Sequence, residues 1–158
     1  MQNHYSTKTM RHGMCLMVIG LLAGFLLIFS MLGGASLNPI PAFISFEMPG
    51  TEKGWRIVHV GALMNGIMAL VIGCAMRFFY LSDVKARWVS LGTILAIWGN
   101  LSFYIFGMFA PNHGLTLQDN RLGEANWAAV LAFAPALLGA VTLIVALLIV
   151  IRSEAIDG

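Results

Sequence analysis

Apolar residues gather into four long runs, about 14–32, 58–81, 89–110 and 127–151, with polar and turn-forming residues confined between them. Each run is near the roughly 20 residues that an α-helix needs to cross about 30 Å of hydrocarbon. The pattern predicts an all-α integral membrane protein, a single four-helix membrane domain spanning 1–158. The connector 33–57 contains Pro39, Pro41 and Pro49, which forbid a continuous helix, yet Phe43 and Phe46 make it too apolar for a free linker. It is expected to be a structured loop capping one mouth of the bundle. The connector 82–88 is short and basic, the turn of a helical hairpin. The connector 111–126 opens Pro-Asn-His-Gly and reads as a second structured loop.

Composition supports a lipid setting. Hydrophobic residues make up 59% of the chain and charged residues 10%, against about 25% charged in ordinary globular proteins. The net charge of +2 is too small, and the basic residues too scattered, for a nucleic-acid partner. Lys8 and Arg11 precede the first run as they would in a signal peptide, but the run is too long, so a retained first span is expected. Six of the nine basic residues, Lys8, Arg11, Arg77, Lys85, Arg87 and Arg152, fall at the termini or in and next to the short connector, and Lys53, Arg56 and Arg121 fall in the long loops. The positive-inside rule then places both termini in the cytoplasm. Cys15 and Cys74 sit in apolar runs without a Cys-x-x-Cys context and read as packing residues.

Within the spans, the polar side chains need a reason, because each costs free energy in lipid unless it is partnered. In Gly54–Gly66, a lone imidazole, His59, and a lone carboxamide, Asn65, enter an apolar helix. Asn100 and Tyr104 are four apart on the third span and share a face, near the same membrane side as His59, and together with Asn65 they are expected to give a polar cluster in the outer half of the bundle. Asn and Tyr often serve as hydrogen-bonding glue between helices, and His59 near a span end reads equally as an interfacial residue. As a ligand, His59 has no second His at i+3 or i+4 and no carboxylate within the helices, which disfavours a multi-ligand zinc site and favours a cofactor needing one protein ligand, as haem b does. His59 and Asn65 lie six residues apart and diverge by about 120° on a helix. A broad site such as a porphyrin, or neighbouring sites in an oligomer, accommodates both. His4, His12 and His113 are weaker candidates, placed where solvation is the default.

Pro49-Gly50, Gly54-Trp55, His59, Gly61, Asn65-Gly66, Asn100, Phe103-Tyr104, Phe106, Pro111-Asn112 and Gly114-Leu115-Thr116 together resemble the styrene oxide isomerase family. These motifs cover about a third of the chain, and the likeness in length and hydropathy covers most of it. The resemblance implies a four-span enzyme of the bacterial inner membrane, active in styrene degradation. It implies a homotrimer with ferric haem b at the protomer interfaces, His59 as axial iron ligand, and Asn65 and Tyr104 beside the substrate. The implied reaction is a Meinwald rearrangement, in which the haem is a Lewis acid and an aryl epoxide becomes an aldehyde by a 1,2-hydride shift. Arg56, three residues before His59, is a candidate for a haem propionate. Where the family pattern has Arg after Pro-Asn, this chain has His113. The alternative is a non-catalytic membrane haem or electron-carrier protein.

Overall fold

A computed structural model describes residues 2–156. Its helices are α1 (Gln2–Leu32), α2 (Glu52–Ala75), α3 (Asp83–Gly107) and α4 (Trp127–Ile151), with a two-stranded antiparallel hairpin, β1 (Gly34–Ser36) and β2 (Phe43–Ser45), after α1. All four helices are long and apolar enough to cross a membrane.

The helices and the apolar runs begin and end at different places. α1 continues through the polar N-terminal segment because Ser6 and Thr9 turn inward: Ser6 donates to the Gly73 carbonyl at 2.7 Å and Thr9 to the Ser90 hydroxyl at 2.9 Å. α2 starts at Glu52, inside the stretch 33–57 expected to be loop, because Thr51 caps it by accepting from the Gly54 N–H at 3.0 Å and Glu52 complements the helix dipole. It stops at Ala75, short of the apolar run's end at Leu81. Residues 78–80 instead pair with the C-terminal segment, Tyr80 N–H to the Glu154 carbonyl at 2.8 Å and Ile156 N–H to the Phe78 carbonyl at 2.9 Å. Ser82 and Asn126 cap α3 and α4 in the same manner as Thr51 caps α2, and α3 ends at Gly107, before Ala110.

α1 packs mainly on α2, and α3 on α4. The first pair touches backbone to backbone at Gly13 and Gly66: a Cβ on Gly13 would lie 2.7 Å from the Gly66 carbonyl oxygen, and one on Gly66 2.8 Å from that of Gly13. In membranes such small-residue contacts replace the hydrophobic drive that lipid removes. Both described chain ends and the α2–α3 connector gather at one end of the bundle, and the long connectors lie at the other. There the first connector is pinned by the Trp55 indole donating to the Pro49 carbonyl at 2.9 Å and by Phe46 meeting Phe29 of α1 edge-on.

Candidate active site

His59 sits two turns into α2, half-buried on the face toward α1. Its Nδ1 lies 2.7 Å from the Gly20 carbonyl oxygen of α1. A carbonyl only accepts, so Nδ1 is a donor here; in the neutral ring this leaves the lone pair on Nε2, the form in which imidazole binds a metal. The lack of a side chain at Gly24 makes room for the ring, since a Cβ there would come within 3.0 Å of both Nδ1 and Cε1. Among the described residues no group of three or more His, Cys, Asp or Glu is placed to hold a metal ion.

Asn65 faces the other way, toward α3, and is buried. Its Nδ2 donates to the Gly61 carbonyl at 2.9 Å and to the Tyr104 hydroxyl oxygen at 2.9 Å, while its Oδ1 accepts from Asn100 Nδ2 at 2.8 Å. Both amide hydrogens of Asn65 are thus committed within the protein. The Tyr104 oxygen accepts one of them, so the phenolic proton is free to point elsewhere. Tyr104 also needs Gly61, because a Cβ at that position would overlap its ring.

Tyr104 borders two cavities. One, of about 450 Å³, opens at the long-loop end and is lined by Ile57, Phe103, Tyr104, Met108, Pro111 and His113 among others. The second, about 350 Å³ and almost wholly apolar, lies between α3 and α4 beside Asn100, Tyr104, Phe133 and Leu137. His113 has a left-handed backbone (φ 58°) and an exposed side chain at the rim of the larger cavity. Its loop is held by Asn112, whose Nδ2 donates to the Thr116 and Gln118 carbonyls at 3.0 and 3.1 Å.

The structure joins Asn65, Asn100 and Tyr104 in one hydrogen-bonded group and leaves His59 on a separate face of the same helix. Arg56 lines neither cavity; its guanidinium meets Glu52 at 2.6 Å on an exposed surface. Of the remaining histidines, His12 accepts from the Trp98 indole at 3.1 Å and His4 is exposed against Tyr5. Gly20 and Gly24 escaped sequence reasoning, because a glycine in a membrane helix carries no chemical signature of its own; Gly61 was singled out only as part of the motif, and the room it gives the Tyr104 ring was not foreseen.

A family model described as styrene oxide isomerase matches residues 5–155. A protein of Pseudomonas fluorescens named styrene-oxide isomerase is 33% identical over 139 residues, covering 87% of this chain and 81% of that protein.

Proposed function

Because this chain belongs to the styrene oxide isomerase family and is an epoxide isomerase, we propose that it converts aryl epoxides such as styrene oxide into aldehydes, with Tyr104 donating a hydrogen bond to the epoxide oxygen and His59 holding haem b. Family membership sets aside the reading of a non-catalytic haem carrier. The observation that carries the assignment of Tyr104 is the full commitment of Asn65, whose two amide hydrogens both go to protein acceptors.

His59 fits haem b through Nε2, with the Gly20 carbonyl accepting from Nδ1 and so orienting the ring, as carbonyl partners of metal-bound histidines do. When bound in the ferric state, haem would supply Lewis acidity for the epoxide oxygen. Tyr104 answers the negative charge that grows on that oxygen as the benzylic C–O bond lengthens, a role often worth 2.7–4 kcal/mol or about 100-fold or more in rate. Asn65 holds the phenol in place. The aryl group spreads the positive charge left on carbon, beside Phe103, which lines both cavities. Hydride then moves from the neighbouring carbon and the carbonyl forms, with no atom gained or lost. The apolar walls keep out water, which would trap the cation as a diol.

A homotrimer with haem between protomers accounts for a ligand and a polar group on different faces of one helix. We assign the bundle end bearing Lys8, Arg11, Lys85 and Arg87 to the cytoplasmic side of a bacterial inner membrane. The test is direct. The purified protein should show a haem Soret band and turn styrene oxide into phenylacetaldehyde; His59→Ala should lose both, and reduction to the ferrous state should suppress turnover. A colourless wild type with full activity would overturn the haem assignment, and absence of aldehyde would overturn the substrate.

A further inference from the structure

We propose that Asn100 is a positioning residue: by donating to Asn65 Oδ1 it fixes which way the Asn65 carboxamide faces, and so keeps the Tyr104 proton available to substrate. This rests on the reading of Tyr104 as the donor to the epoxide oxygen.

The Asn65 amide has two orientations related by a half-turn. In the observed one, NH₂ faces the Gly61 carbonyl and the phenol oxygen, and Oδ1 faces Asn100. In the reversed one, Oδ1 would face Tyr104 and take its hydroxyl proton, leaving no donor for the substrate. Two contacts oppose the reversal. One is the Gly61 carbonyl, which would meet another acceptor; the other is Asn100 Nδ2, which would meet another donor. The Gly61 carbonyl belongs to the same helical turn and is the regular i−4 partner of the Asn65 backbone N–H, so its demand on the side chain is secondary. Asn100 comes from a different helix and bonds at 2.8 Å in a partly buried, low-dielectric setting, where a mismatched amide is costly. Asn100 also lines the α3–α4 cavity beside Tyr104. The residue that sets the amide thus borders the space into which the freed proton can be delivered.

An acceptor at position 100 should invert the device. Asn100→Asp keeps the side-chain shape but draws the Asn65 NH₂ toward itself and turns Oδ1 to the phenol. Kinetics of the haem-loaded wild type, Asn100→Asp, Tyr104→Phe and the double variant, at matched haem content, form the test. Asn100→Asp is expected to lower kcat by about tenfold or more, to leave KM within about twofold, and to cause no further loss on top of Tyr104→Phe. Additive losses, or a change confined to KM, would show a structural role and overturn the proposal. If the aspartate variant does not assemble, Asn100→Leu enters the same cycle: it removes the donor and should be equally silent in the Tyr104→Phe background. A Tyr104→Phe variant with full turnover would remove the underlying reading. A slow Tyr104→Phe beside fully active Asn100 variants would remove this inference alone.

Discussion

At Gly61 the site depends on the absence of a side chain, because the Tyr104 ring occupies the place a methyl group would take. Gly61→Ala is therefore expected to displace the phenol from Asn65 and lower turnover about 100-fold, as loss of a transition-state hydrogen bond does. The His59 contacts lie on α1, so the Soret band should be unchanged; spectra and turnover of one preparation check both. His59, Asn65, Asn100 and Tyr104 were legible in the sequence for one physical reason: a polar group in hydrocarbon must find a partner. The grouping of Asn65 with Asn100 and Tyr104 was legible as well, but the individual bonds were not. That His59 leans on a carbonyl of α1, and that Asn65 spends on Tyr104 the hydrogen not already given to Gly61, follows from contacts 39 residues apart in the chain.

α4 shows how two helices solve a problem that one creates. Pro135 lies inside it and has no N–H for the carbonyl four residues earlier, that of Leu131. Ser102 of α3 donates to that carbonyl at 2.7 Å, and Gly99, one turn earlier on α3, lets the Pro135 carbonyl come close. Ser102→Ala should lower stability by about 1 kcal/mol, the scale of an interhelical hydrogen bond in membranes, read as a reduced unfolding midpoint in detergent. Gly99→Leu, which forces the helices apart, should cost more. Hydropathy marked where lipid would lie but not where the helices end. Capping by Thr51 and the pairing of residues 78–80 with the C-terminal segment decided those limits, and neither leaves a mark in an apolar average.

Across the whole molecule, α1–α2 and α3–α4 form two closely packed pairs, and the Asn65–Asn100–Tyr104 group spans the seam between them. Chemistry and assembly are thereby linked, since a shift of one pair against the other moves the phenol. The charge bias between the two ends predicts an orientation that can be measured. With Cys15 and Cys74 replaced by Ser, a cysteine at Leu117, 52% exposed in the second long loop, should react with an impermeant thiol reagent in intact cells. A cysteine at Lys85, in the first turn of α3, should react only after the inner membrane is opened. The reverse pattern would invert the topology. The number of spans, the membrane setting and the identity of the polar side chains are properties of composition and order, because lipid acts on each segment separately. The divergence of His59 from Asn65 on α2 follows from their spacing as well; which helix each of those side chains meets and which proton remains free are decided only once α1 and α3 pack on different faces of α2, because hydrogen-bond partners are chosen by proximity in space.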